Sequence, residues 1–424
     1  MRRNTVAIPE MISLEDAREL VLSHVSSLEI EEVGVLDIIG RVAAEDLASD
    51  IDIAPFAHSA MDGFAMRASQ LADASPENPV ELDVIAEVPA GSFYEGELAD
   101  DQCVRIMTGA PLPDAADSCV KYEIVDIVSG DGREGSRVAF TAPAGVGDNI
   151  RAAGEEAKAG EVIVHVGEVV HSAGVGFLTG CGVTRCKTYR RPRVAIIATG
   201  SELVDPTEVP TQGKIRNSNS YALAACAIDA GAIPEIRPIA ADDFEGLKAA
   251  VLECTREFDF VVTSGGAANG DYDFIKKVVE DEGELLMTTV NMRPGKAQAF
   301  GLVEGVPVFG LPGNPAAAYV GFQTLIRPAL RKMQGYTHFD HTKVRARLTR
   351  DMKKKDARRI YLRSTLEKDA EGYRVTPAKN QSSGLFGVIQ RSNCLAIMPE
   401  GLDAKKAGDE VDCLLLDIPE ELIL

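Results

Sequence analysis

No apolar run in the 424 residues approaches the ~20 needed to cross a bilayer, so a membrane-spanning helix is not expected. Basic residues are also short. Lys and Arg number 44 against 65 Asp and Glu, a formal charge of −21, whereas a nucleic-acid partner needs a basic face that displaces counterions. Cysteine is sparse: eight, at positions 103, 119, 181, 186, 226, 254, 394 and 413, are too dilute for a disulfide scaffold in a chain this long. Only Cys181 and Cys186 are close, with no histidine at zinc-finger spacing, so buried reduced thiols are expected. The sequence has no Gly-x-x-x-x-Gly-Lys-Ser/Thr loop, Gly-x-Ser-x-Gly elbow or His-Glu-x-x-His helix, which removes the common NTPase, hydrolase and zinc-protease readings. The opening MRRNTVAIPEMISLEDAREL has two arginines but no continuous apolar segment behind them, so a cytoplasmic location is expected. At about 150 residues per domain, the length suggests roughly three domains.

What is present is organised in blocks. Ser13 suits an N-cap for a segment in which Leu14, Ala17, Leu20, Val21, Val25 and Leu28 recur at helical spacing. Residues 35–150 turn to short alternating pieces, such as LDVIAEV (82–88) and EIVDIV (123–128), and read as mostly β. A basic connector, Tyr189-Arg-Arg-Pro-Arg193, then leads into VAIIAT. Strands are expected near 193–198, 234–240, 259–263 and 306–311, and helices near 218–230, 244–256, 274–282 and 315–333, with Gly231 and Gly283 as stops. This alternation predicts an α/β domain with a mainly parallel sheet covered on both faces. Beyond 335, pieces such as KVRARLTRDM, RRIYLRSTLEK and EVDCLLL predict a small β domain, a barrel being one way to close it.

Ligands of open α/β sheets bind outside the carboxyl ends of the strands. The loops there carry Thr199-Gly-Ser-Glu202, Ala241-Asp242-Asp243, Ser264-Gly265-Gly266 running on to Asp271 and Asp273, and Leu311-Pro312-Gly-Asn314-Pro315. With parallel strands, glycine backbone and carboxylates meet in one crevice. Plainer roles fit the same residues: Asp271 or Asp273 as a helix cap, and Asn314 as an N-cap followed by proline at the first helical position. Ala316, Ala317 and Ala318 then form a bare first turn whose amides are expected to be open to an anion. Arg293-Pro-Gly-Lys296 reads either as a solvated hairpin or as an anion clamp. Lys214-Ile-Arg216-Asn-Ser-Asn219 adds polar groups ahead of a helix. Earlier Gly/Pro loops hold Asp62, Thr108, Arg151, Glu155 and Glu156, and His58 reads as a turn residue rather than a base.

Taken in order along the chain, SAMDGFA, RIMTGAPLP, GDNIRAAGEE, IIATGSELV, GKIRNSNS, TSGGAANGDYDF, MRPGKA and GLPGNPAAA resemble the MoeA family, the molybdopterin molybdenumtransferases whose eukaryotic relatives include the C-terminal part of gephyrin. The resemblance implies an elongated, discontinuous, dimer-forming N-terminal domain (1–50 and 155–190) and an inserted β-rich domain (51–154). A three-layer α/β molybdopterin-binding domain (191–336) and a C-terminal β-barrel (337–424) follow. It implies a homodimer whose cleft lies between one subunit's inserted domain and the other's last two domains. The implied reaction inserts molybdenum from molybdate into adenylylated molybdopterin, with Mg²⁺ and release of AMP, and an adenylyltransferase supplying the substrate is the implied partner.

Carried over position by position, the acids are Asp62, Glu202, Asp242 and Asp273, the last three as Mg²⁺ ligands. Thr108, Arg151, Glu156, Ser264, Gly265, Gly266, Arg293, Lys296, Pro312, Asn314, Pro315, Arg363 and Ser383 are the implied substrate contacts. Two anions meeting in an acidic protein would repel it, and carboxylate-bound Mg²⁺ reverses that.

The sequence departs from the family pattern at Thr289, where well-known relatives carry a lysine, and at Ala297, where a proline often follows Gly-Lys; Arg293 stands where many relatives have lysine. The lost lysine bears on the oxyanion contact and leaves molybdate against tungstate open. A CinA-like phosphate or amide hydrolase explains residues 191–335 only. A purely structural scaffold, the role gephyrin adds to its enzyme activity, leaves the acid set without a purpose.

Overall fold

The computed structural model describes residues 11–240, 243–265 and 274–416, and the chain divides into two compact units. The unit formed by residues 32–39 and 45–187 is built on a six-stranded sheet, ordered Ser118–Lys121, Gly63–Met66, Gln102–Ile106, Val80–Val88, Arg137–Phe140, Asp126–Ser129. Only Val80–Val88 and Gln102–Ile106 run parallel. Alternation along Gly63–Met66 buries Phe64 and Met66 on one face and Ala65 on the other.

EIVDIV, expected as one strand, is not. Tyr122–Ile124 form a 3₁₀ turn and the strand starts at Asp126. The cause is Tyr122, whose ring stacks on Phe64 at 5.9 Å, carries Arg105 at 4.6 Å on its face, and whose N–H donates to the Asp62 carbonyl at 3.0 Å.

The other unit holds everything from Thr188 onward. Its helix α1 (Leu14–Ser23) is capped as expected, Ser13 Oγ accepting from the Asp16 N–H at 3.0 Å. The basic connector is held by two carboxylates: Arg190 donates from Nη1 and Nη2 to Asp259 at 2.7 and 2.8 Å and from Nε and Nη2 to Glu29 at 3.1 and 2.9 Å, and the Arg193 N–H donates to Asp259 at 2.7 Å. From there the chain forms β1 (Arg193–Ala198), α2 (Asn219–Asp229), β2 (Ile233–Ile236), α3 (Phe244–Cys254), β3 (Phe260–Ser264), α4 (Phe274–Glu282), β4 (Gly283–Thr289), β5 (Ala297–Val303) and β6 (Val306–Leu311).

The sheet order is β2-β1-β3-β6-β5-β4; the first four strands are parallel and the last two are added antiparallel. Apolar side chains point both ways. Val194, Ile196, Phe260 and Val262 share a core with α2, and Ala195, Ile197 and Val261 share another with α3 and α4. This three-layer burial is why the strands read as unbroken apolar runs.

β2 is shorter than the expected 234–240, because Pro238 has no N–H to continue the ladder; pairing returns only as a bridge between Thr199 and Ala240. Gly231 ends α2 in the left-handed region (φ 86°), as expected. Gly283 directly follows the last residue of α4, Glu282, as expected, but without a left-handed φ. It is the first residue of β4, opposite Val303, where a Cβ would run into the Leu302 carbonyl. Residues 315–333 are helical throughout, as α5 (Pro315–Gly321), a π-turn at Phe322–Ile326, and α6 (Arg327–Met333).

The C-terminal strands β7 (Lys343–Leu348), β8 (Arg359–Asp369), β9 (Gly372–Pro377), β10 (Cys394–Met398) and β11 (Glu410–Leu415) close into a five-stranded barrel, β8 pairing with both β9 and β10. Along β8, Leu362 and Leu366 enter the barrel core while Tyr361 enters the core shared with α2. All eight cysteines are buried free thiols, and among the described residues no helix is long and apolar enough to cross a membrane.

Candidate functional site

A cavity of about 980 Å³ opens at the carboxyl edge of the α/β sheet and is bounded on its far side by the barrel. Thr199, Gly200 and Glu202 line it after β1, Gly265 after β3, Arg293 to Ala297 between β4 and β5, and Pro312 to Asn314 after β6; the barrel side adds Lys353, Lys355, Arg358, Arg363 and Ser383. Three of the four loops expected to share one sheet edge contribute to the cavity; in the fourth, Asp243 caps α3 by accepting from the Gly246 N–H at 2.7 Å, while Ala241 and Asp242 lie outside the described residues, as do Gly266, Asp271 and Asp273.

Two glycines make room. Gly265 (φ 96°) sits so close to Thr199 that a Cβ would meet the Thr199 carbonyl, and Gly200 (φ 150°) lies under the Glu202 carboxylate, where a Cβ would stand 2.5 Å from Oε2. Ser264 is buried and does not line the cavity. Its Oγ accepts from Asn219 Nδ2 at 2.8 Å, and the same amide donates to the Gly313 carbonyl at 2.9 Å, so Asn219 ties the β3 and β6 loops together. Asn219 Oδ1 and Thr199 Oγ1 are buried polar atoms with no partner of their own.

The expected open helix terminus is overturned. Asn314 occupies the cap position without a side-chain bond; the Ala316 N–H donates to the Ser383 carbonyl at 2.8 Å, and those of Ala317 and Ala318 donate to the Asn314 carbonyl at 3.0 Å. Pro315, which has no N–H, is absent from the cavity lining. The first turn is thus spent on docking the barrel, and no amide remains to receive an anion. The alanines are small because the turn is buried.

Positive charge comes instead from side chains. Arg363 is 2% exposed, donates through Nη2 to the Ser382 carbonyl at 3.1 Å, and keeps Nε without a partner. Burial lowers its pKa to about 10, still charged at neutral pH. Arg293 pairs with Asp356 at 3.3 Å, and Arg358 grips the same carboxylate at 2.5 and 2.9 Å. Hydrogen bonds from the Arg358 guanidinium and backbone, with the charges of Arg358 and Arg293, outweigh the opposing effect of burial and hold Asp356 far below the usual carboxylate range. The departures Thr289 and Ala297 are cross-strand neighbours at the root of the β4–β5 hairpin; Ala297 lines the cavity and Thr289 is buried.

Asp62, Thr108, Arg151 and Glu156 belong to the first-described unit. There Asp62 Oδ1 accepts from the Thr108 N–H at 2.8 Å and from Oγ1 at 2.7 Å, and these bonds hold its pKa below the usual carboxylate range. Arg151 lies opposite His58 in a short ladder and pairs with Glu155 at 3.0 Å rather than with Glu156. His58, expected in a turn, instead opens the two-residue strand His58–Ser59.

Among the described residues no three His, Cys, Asp or Glu gather into a metal-binding group. The cavity nevertheless offers hard oxygen donors, the Glu202 carboxylate and the unpartnered Thr199 hydroxyl. That set fits Mg²⁺, which takes one or two carboxylates and completes its shell with water and substrate phosphate.

Barrel residues 352–358 were not anticipated. Their signal, MKKKDAR, has no apolar alternation to mark it as structured, yet it supplies two lysines and the arginine-holding carboxylate.

Comparison with known proteins accounts for nearly the whole chain. Residues 12–182 match the MoeA N-terminal region (domain I and II), 195–332 the probable molybdopterin binding domain, and 345–416 the MoeA C-terminal region (domain IV). Proteins named molybdopterin molybdenumtransferase from Staphylococcus aureus (strain COL) and Staphylococcus epidermidis (strain ATCC 12228) are 32% and 33% identical over 417 and 419 residues, each covering 97% of this chain and 98% of its own length. Two crystal structures of the molybdopterin-biosynthesis MoeA protein from Pyrococcus horikoshii superpose with TM-score 0.80 over 96% of this chain and 99% or 100% of theirs, at 32% and 28% identity. The chain belongs to the MoeA family of molybdopterin molybdenumtransferases, and is a transferase.

Proposed function

We propose that this protein inserts molybdenum from molybdate into adenylylated molybdopterin, releasing AMP, in a Mg²⁺-dependent reaction. The observation that carries the reading is the cavity: one carboxylate, Glu202, stands over a glycine at the sheet edge, facing a wall of Arg and Lys from the barrel and the β4–β5 hairpin. A substrate with a diphosphate and an oxyanion needs that division. Glu202 would hold Mg²⁺, with Asp242 and Asp273 as the further acids that the resemblance assigns. Bound there, the ion would neutralise phosphate charge and polarise the diphosphate.

Arg363, Lys296 and Ser383 orient the oxyanion. Arg363 suits this because its unpartnered Nε is already desolvated, so a bond to the oxyanion gains more than it would in water. Asp62, held ionised by Thr108, is the acid proposed from the first-described unit. Family matches on both sides of the α/β domain, at 12–182 and 345–416, argue against a hydrolase confined to residues 191–335.

The testing experiment incubates the pure protein with adenylylated molybdopterin, Mg²⁺ and either molybdate or tungstate. AMP release and metal incorporation are measured together, and the ratio for the two oxyanions ranks them. The proposed homodimer is checked by light scattering, which would give twice the 45.3 kDa chain mass.

A further inference from the structure

We propose that Lys353 and Lys355 form a second anion subsite, on the barrel wall of the cavity, that takes the phosphate of a nucleoside monophosphate; this rests on the functional reading above. From 351 to 358, burial alternates: Met352, Lys354, Asp356 and Arg358 turn inward, while Asp351, Lys353, Lys355 and Ala357 are exposed. Every inward residue is tied down. Met352 exchanges backbone hydrogen bonds with Lys405 at 2.7 and 3.0 Å. Lys354, 8% exposed, donates from Nζ to the Pro399 carbonyl. Asp356 and Arg358 hold each other as described above.

A period of two is that of extended chain, so Lys353 and Lys355 stand on the same side, about 7 Å apart at Cα, and both line the cavity. Arg358 and Arg293 are already committed to Asp356, and Arg363 has its Nη2 on the Ser382 carbonyl and only its buried Nε open. Among the described residues Lys296, Lys353 and Lys355 have no such partner. Two ammonium groups side by side repel each other, and an anion between them removes the repulsion.

The division of labour follows from burial. Arg363, sealed in, suits a small oxyanion that must be held dry, whereas exposed lysines suit a leaving group that must depart to solvent. An ammonium is a mobile point charge able to follow a phosphate as it leaves.

The test is titration calorimetry on the full chain at low salt, with AMP, adenosine and molybdate as probes. In the Lys353→Gln/Lys355→Gln variant, AMP affinity is expected to fall about tenfold or more while adenosine and molybdate affinities stay within about twofold, and Lys353→Arg/Lys355→Arg restores AMP binding. Wild-type protein that binds AMP and molybdate, with the glutamine variant matching it on both, overturns the subsite and leaves the functional reading standing. Wild-type protein that binds neither AMP nor molybdate overturns both.

Discussion

The carboxylate of Glu202 lies directly over Gly200, in the space that a side chain at position 200 would fill. A carboxylate placed by its own neighbour's missing Cβ depends on that absence. Gly200→Ala is therefore expected to displace Glu202, and also to strain the backbone at φ 150°. AMP release should fall about tenfold or more, with a stability loss of about 1–2 kcal/mol in urea.

Thr108 favours the ionised form of Asp62. Its two hydrogen bonds favour the ionised carboxylate, so the folded pKa lies below the unfolded value of about 3.9. The stabilisation is present above that unfolded value and is lost as pH falls through the folded pKa. Carbon-detected NMR titration should place Asp62 below the usual aspartate range, and Thr108→Val, which keeps the backbone bond, should move it part of the way back.

His341 carries the opposite kind of sensitivity. Burial, then the charges of Arg327 and Arg331, push its pKa down to about 3, and its Nε2 is 2.8 Å from Gln323 Oε1 in the π-turn. Between about pH 6.5 and 3 the unfolded chain takes up a proton that the folded one refuses, so stability falls as the solution is acidified. From pH 7 to 5, wild type should lose about 1–2 kcal/mol more than His341→Gln in denaturant melts, enough to separate this group from the many titrating carboxylates.

Arg363 offers a test of the oxyanion end. Arg363→Ala should weaken molybdate binding about tenfold to a hundredfold by calorimetry, since a charge-assisted bond is worth roughly 1.5–3 kcal/mol. Arg363→Lys keeps the charge but loses the fork, and should recover only part of it.

The α/β core was legible in the sequence because its strands are buried on both faces, and VAIIAT or FVVTS admits no other environment. The loops after β1, β3 and β6 could be read as a site for the same reason: strand direction brings their ends together. What stayed hidden depends on partners remote in sequence. The first turn of α5 reads as an open anion site until Ser383 is seen to occupy it. Gly283 reads as a helix stop, which it is, but its second part as the first residue of a strand shows only when Leu302 stands against it. Residues 352–358 owe their alternation to Lys405, Pro399 and one another, not to any apolar pattern. Asn219 ties two loops together through its side-chain amide alone.

The proposed reaction requires Glu202 to act on the substrate diphosphate. With adenylylated molybdopterin, molybdate and Mg²⁺ at saturation, Glu202→Gln is predicted to slow AMP release about a hundredfold or more while its melting temperature stays at the wild-type value. AMP release by the folded Glu202→Gln protein at the wild-type rate would contradict it.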